Sequence, residues 1–561
     1  MTPYAPVTVG FYYCQHLLGQ QRCARLHAFL INPTQVGNPE MSLFICNVVA
    51  VITNNKEISV KLSKSILTCA IAMALSTGAY AQSEDKPGST SALANVERAA
   101  AVGNELTISQ TSVQGLGNSA SSLQQGDANL TEITTVGDGN QTDAMQIGNG
   151  NVVLVTTQGD NNQQSYNQDG EANGALSEVT GSDNQIAVEQ NGTGFLGINN
   201  EAINVIGGDA NQINVVQGDG GHWFYNLDMQ GNANVVNAQQ AGLWNEAQFT
   251  SVQGDANDLS VEQDGFWNQL SVTSINGSMN EFASEQLGDT NVISIGDIFG
   301  DENELAVEQE GANNSTDIVS IEGNENALSI DQEGSANTFE SALFSGDGNE
   351  LNVMQMGDNN AASAEVLGDE NDFSATQNGS GNEVYLGVLG NNNEFDAMQI
   401  GNDNATHVVN FNGNDNDVTV AQSGDMNTAV IESSYPDPSI ASNDNDIAIT
   451  QSGMGNEAVL TMGSVMESSS NQVDLVQSGE LNAIDLMVEG SGHSIDIAQE
   501  GGMNMVAGMG QGAFAVAGEG NTVSISQLGE GNLVEGSVMG TGNTVAVTQV
   551  GDYNSATVVQ Q

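Results

Sequence analysis

The chain has 561 residues, with 70 Asp plus Glu against 7 Lys plus Arg, a formal net charge of -63, 66 Gly and only 4 Cys. A polyanion of this kind cannot hold nucleic acid by neutralising phosphates, nor be drawn to an anionic membrane surface. Disorder, a secreted acidic protein or a repeat architecture remain.

The first eighty residues differ from the rest. Cys14, Cys23, Cys46 and Cys69 all precede residue 82, with five of the seven basic residues and four of the seven Pro. Val60-Lys61-Leu62-Ser63-Lys64 reads as a basic n-region, and 65–75 as an apolar run of signal-peptide length, too short to span a membrane. Ala79-Tyr80-Ala81 is an A-x-A cleavage site, which makes Gln82 the expected mature N-terminus. The expected organisation is therefore a mis-assigned upstream extension (1–59), a secretory signal peptide (60–81), a flexible segment with at most a short helix near 92–101 (82–103), and a repeat array (104–561). Past Ala81, 68 acidic residues face only Lys86 and Arg98, and there is no Cys. This excludes a disulfide scaffold, thiol catalysis and Cys-ligated zinc.

The array has a 22- or 23-residue period. Gln263, Gln286, Gln309, Gln332, Gln355, Gln377, Gln399 and Gln422 are each followed by Gly two residues later and Asn five later. Six residues before them stand Asn257, Asn280, Asn303, Asn326, Asn349, Asn371, Asn393 and Asn416. Each half-unit reads as a strand. Asn349, Leu351, Val353 and Gln355 share one face, while small or charged residues take the other. The second half repeats this more loosely, as in Asn268-Leu270-Val272-Ser274. Gly-Asp and Gly-Asn turns lie between halves, where left-handed backbone is needed. Fixed-phase alternation over hundreds of residues is not something disorder requires. The prediction is an all-β fold, a β-solenoid of about 19 stacked two-strand rungs with amyloid-like cross-β spacing, in which Asn and Gln amides ladder along the axis. Insertions at 191–199, 431–444 (with Pro436 and Pro438), 463–470 and 511–520 are expected to loop out at turns.

The segments Asn349-x5-Gln355-x-Gly357-x-x-Asn360-x-Ala362 and Asn543-x5-Gln549-x-Gly551-x-x-Asn554-x-Ala556 resemble curlin repeats, the units of curli, an extracellular functional amyloid of Gram-negative bacteria. Two features depart from the family. Its leading Ser is mostly Asn here, and its second closing Gln is replaced at Ser274, Leu343, Val366 and Val388. The resemblance implies a secreted structural subunit that polymerises with itself into cell-surface fibres of a biofilm matrix, for adhesion and aggregation. It also implies export through a curli-type outer-membrane pore and seeding by a nucleator subunit. The alternative from another class is a soluble acidic solenoid adhesin that binds calcium or a surface ligand.

No catalytic constellation or cofactor site is expected. His222 and His493 stand where the repeat places Asn, many rungs apart, and no G-x-S-x-G element supports a triad with them or His407. Trp244 and Trp267 occupy equivalent turns and, with Trp223, could form an aromatic strip for local packing or for carbohydrate. Glu262, Glu285, Glu308 and Asp331 fall in one outward row, the weak candidate for a divalent cation. The Gly-Asp turns also suggest calcium, but their 11- to 12-residue spacing is not the nine of a calcium-binding β-roll.

Overall fold

The computed structural model describes residues 9–17, 20–28, 103–113, 115–193, 199–433, 440–510 and 512–561, the first two stretches as backbone only. The expected signal segment at 60–81, the cleavage site at Ala81 and Gln82, and nearly all of 82–103 lie outside these residues. The chain divides into two units, Met1–Gln82 and Ser83–Gln561. In the first, Val9–Leu17 pairs antiparallel with Gln20–Ala28. The sequence of 1–59 carried no signal for this pair.

The second unit is a parallel β-solenoid of about 19 turns, and its described residues are all-β. Each rung contributes one strand to each of two parallel sheets. Glu350–Asp358 is a representative first strand. It pairs in register with Ala327–Ser335 below and Asp372–Ser380 above, so Gln355 lies between Gln332 and Gln377. Nineteen such strands, from Ser119–Gln125 to Thr544–Val550, make the first sheet. At about 4.8 Å per rung the stack runs for about 90 Å. Ile, Val, Leu and Phe from the two inner faces form one continuous core between the sheets. Alternation decides this: Leu351 and Val353 are buried while Glu350, Asn352 and Met354 between them are exposed.

The turns set the glycine positions. Gly357 has φ +114°, and a Cβ there would sit 2.1 Å from the carbonyl oxygen of Gly379 in the next rung. Two residues on, Asn359 is also left-handed at φ 58°. At Gly357 the turn thus packs backbone on backbone at a spacing that leaves no room for a side chain.

The two repeat lengths have a local cause. In a 22-residue rung the second strand Ala361–Leu367 alternates strictly, burying Ala362, Ala364 and Val366. In a 23-residue rung the strand Gln269–Asn276 buries Leu270, Val272 and then Ile275. Thr273 and Ser274 together fill the step between the last two. The extra residue is a bulge, and it corrects the placement of Ser274 on the inner face: Ser274 is half-buried beside the bulge, and Ile275 takes the core position.

Three of the four insertions also lie elsewhere than at turns. They split second strands: Thr428–Ser433 resumes at Ser442–Asn443, Glu457–Met462 at Ser468–Ser469, and Met505–Ala507 at Phe514–Glu519. The unbroken strand Ala483–Ser491 pairs with both pieces of the rung below it and both of the rung above. This continuous neighbour holds the two ends of the second and third breaks in place, whereas the two ends of the first pair with the two separate pieces of the next rung. Only 191–199 sits between a first and a second strand.

Candidate functional site: the amide ladders

Gln355 is fully buried. Its Nε2 donates up the axis to Gln377 Oε1 at 2.8 Å and across the core to the Thr338 carbonyl at 3.0 Å. Its Oε1 accepts from Gln332 Nε2 at 2.8 Å. Both amide hydrogens are used, one to bind rung to rung and one to bind sheet to sheet. The same axial bond, 2.7 to 3.0 Å long, joins Gln263, Gln286, Gln309, Gln332, Gln377, Gln399 and Gln422 in sequence.

The Asn column runs the other way. The backbone N–H and Nδ2 of Asn371 both donate down to Asn349 Oδ1, at 3.0 and 2.9 Å, and Nδ2 also donates to the Gly390 carbonyl at 2.9 Å. Asn257, Asn280, Asn303, Asn326, Asn393 and Asn416 repeat this geometry. A second Asn column at the opposite turn includes Asn337 and Asn360, with Asn360 N–H donating to Asn337 Oδ1 at 3.0 Å. Buried amides are costly without partners. The Gln and Asn named above find theirs in the equivalent residue of a neighbouring rung, whereas buried Asn200 Nδ2 and both amide atoms of Asn204 have no hydrogen-bond partner among the described residues.

A third ladder lies on the surface. The residue after each Gly of the turn from second to first strand accepts the backbone N–H of its counterpart below. Asp209 N–H donates to Asn232 Oδ1, Asn232 to Asp255, Asp255 to Ser278 Oγ, and Ser278 to Asp301, at 2.6 to 3.1 Å. The chain continues through Asn324, Asp347, Asp369 and Asn391 to Asn414. These Asp carboxylates are engaged by backbone N–H groups along the axis, and among the described residues no group of three or more His, Cys, Asp or Glu side chains is placed to hold a metal ion. The signal was present in the sequence as Gly followed by Asp, Asn or Ser, but it is shared with ordinary turns.

His222 and His493 occupy Asn stations. Asn521 N–H donates to His493 Nδ1 at 3.2 Å, and His493 Nε2 lies 3.1 Å from the Glu489 carbonyl. His222 Nδ1 likewise accepts from Asn245 N–H at 3.3 Å. An imidazole accepting at Nδ1 must be neutral. Burial pushes both rings below the ordinary histidine value. His407 stands apart on the second sheet, 3.1 Å from Glu383 Oε1.

Glu489 escaped the sequence reading. It is buried opposite the break at Met462, and its carboxylate accepts the backbone N–H groups of Ser464, Val465 and Met466 and the Ser464 hydroxyl. One side chain thus fixes an insertion in the rung below. Its partners lie about 25 residues away in sequence and have no repeat signature.

Register brings Glu262, Glu285, Glu308 and Asp331 together on four consecutive rungs. Burial and then the neighbouring carboxylates raise Glu308 above the ordinary carboxylate range, and burial and nearby Glu residues raise Asp331. A longer row, Glu350, Asp372, Glu394, Asp417 and Asp446, occupies five consecutive rungs one strand position after Asn. Trp244 and Trp267 meet edge to face with centroids 6.1 Å apart, and Phe266 packs against both. Trp223 does not join them. It opens the strand Trp223–Gln230 and pairs in register with Glu246 on the second sheet.

Four segments, 300–334, 346–379, 368–401 and 469–501, match the curlin associated repeat. These segments are curlin repeats. The matched segments contain the ladder pairs Asn303 and Gln309, Asn349 and Gln355, Asn371 and Gln377, and Asn471 and Gln477, so the family's motif coincides here with the residues that bond rung to rung. Comparison of the chain with curated proteins gives no match.

Proposed function

We propose that this chain is a secreted structural subunit, not an enzyme, that stacks end to end into extracellular curli-like fibres of a biofilm matrix. The observation that carries the reading is the ladder polarity. Gln donates toward the C-terminal end while Asn donates toward the N-terminal end. Every rung therefore presents one complementary set of donors and acceptors above and the opposite set below. The upper ladder face of one rung is thus complementary to the lower ladder face of another, including one from a second copy, and only with both chains pointing the same way. Curlin repeats support the same reading, which carries with it a nucleator subunit and an outer-membrane pore as partners. Adhesion and aggregation follow from a fibre at the surface of a Gram-negative cell.

Purified residues 82–561 should give thioflavin-positive fibres with a meridional reflection near 4.8 Å. A monodisperse rod whose association depends on calcium would instead support the adhesin alternative. N-terminal sequencing of secreted material should begin at Gln82; any earlier residue refutes the expected processing.

A further inference from the structure

Methionine is ordinarily among the residues most often buried. In this chain the partition is reversed. Fifteen of the 18 Met lie past Ala81, and ten of those fifteen are exposed. Only Met229 and Met462 are fully buried, while Ile, Val, Leu and Phe fill the core. The exposed set is also ordered. Met354 and Met398 stand in the outward column that holds Glu308 and Asp331 further down. Met426, Met454, Leu481 and Met503 lie on four consecutive turns of one edge, 39 to 57% exposed, joined by hydrogen bonds from Leu481 N–H to the Met454 carbonyl and from Met503 N–H to the Glu480 carbonyl.

We infer that these exposed thioethers make the solenoid a consumer of two-electron oxidants, hypohalous acids and peroxides, at its surface. Each reaction transfers one oxygen atom to sulfur. Hypochlorous acid and a thioether give a sulfoxide, chloride and a proton; hydrogen peroxide and a thioether give a sulfoxide and water. The mature chain has no Cys to compete as a softer sulfur, and Lys86 is its one lysine, so side-chain amines hardly divert a hypohalous acid. The added oxygen enters solvent. No exposed Met belongs to the Gln or Asn columns, so the bonds that hold the rungs survive oxidation. The Met426 edge changes from apolar to polar while the fold beneath it stays the same.

The test adds hypochlorous acid stepwise to the folded mature chain and follows oxidant consumption, the melting curve and peptide masses. About ten equivalents should be taken up rapidly as sulfoxide, with Met229 and Met462 unmodified and the melting transition unchanged. The variant with Met354, Met398, Met426, Met454, Met503 and Met505 all replaced by Leu should lose six of those equivalents and still fold. If its folding fails, Met354→Leu/Met398→Leu should lose two. Uptake equal to wild type in either variant overturns the inference. So does a solenoid that unfolds within the first ten equivalents, modification of Met229 or Met462 at the rate of the exposed residues, or oxidation of Trp267 ahead of the methionines.

Discussion

Replacing Gln355 with Leu removes three buried hydrogen bonds at once. Gln332 Nε2 loses its axial acceptor, Gln377 Oε1 loses its axial donor, and the Thr338 carbonyl loses its cross-core donor. Each stranded group costs about 1–3 kcal/mol. Burying a leucine side chain in the same space recovers about 1.5–3 kcal/mol, so with about 2 kcal/mol for each of the three stranded groups the expected net loss is about 3–4.5 kcal/mol. Met354→Leu, one residue away, touches no ladder and should stay within about 0.5 kcal/mol, as surface substitutions do. A long repeat array need not unfold in one step, so a single global stability is the wrong readout. Native-state hydrogen exchange across Glu350–Asp358 reports local opening directly. Gln355→Leu should speed exchange in this strand and its two neighbours by about a hundredfold to a few thousandfold. Distant rungs should keep wild-type rates. If Gln355→Leu and Met354→Leu exchange within threefold of one another, the axial bonds are not what holds the rungs, and the ladder argument fails.

Three other outcomes are expected. Gly357→Ala must place a Cβ 2.1 Å from the Gly379 carbonyl and should prevent that turn from closing, whereas at Gly348 (φ +67°) the nearest atom to a Cβ is 3.8 Å away and alanine should cost only about 1–2 kcal/mol; comparable melting curves for the two variants would contradict the turn packing. The raised pKa values of Glu308 and Asp331 mean that the folded rod holds their protons more tightly than the unfolded chain does. Their penalty is therefore full at pH 7 and is relieved as pH falls through the raised values, so Glu308→Gln should raise the melting temperature at pH 7 and flatten its rise toward pH 4.5. His493 works in the opposite sense: its depressed folded value makes the unfolded chain the better proton binder, so stability is full above about pH 6.5 and declines below it. His493→Asn should lessen that decline in denaturant melts between pH 7 and 5, leaving the part due to His222, and an unchanged slope would show that the ring is not held neutral.

The architecture was readable because one strand face is written in a repeated code. Asn349, Leu351, Val353 and Gln355 recur in phase, and stacked rungs place each of these residues directly on its own copy in the next repeat. What stayed hidden depends on neighbours that the repeat does not name. Ser274 fits the strict alternation and Ile275 breaks it, so only the bulge reveals which of them reaches the core. Glu489 looks like any acidic residue of the array, because the three N–H groups it gathers belong to an insertion in the rung below. The surface ladder at Asp209, Asn232 and Asp255 was hidden differently: Gly-Asp and Gly-Asn suit a tight turn in isolation, so turn preference already accounted for residues whose side chains also bond along the axis.

The bulges in the second sheet give the rod a feature familiar from layered crystals. Bulged strands stack on bulged strands without offset from Trp223–Gln230 through Ser315–Glu322. Where a bulged strand meets an unbulged one the register slips: between Asn204 and Ile206 below this block, between Glu340 and Phe344 above it, and again between Leu386 and Val388 where the next bulged strand begins. These junctions are dislocations: a fixed extra residue on one side of a plane, with the lattice intact on both. The first sheet runs through each without a fault. Under tension or heat, the rod should hinge at these planes, bending toward the unbroken sheet, while the blocks between them move as rigid lengths.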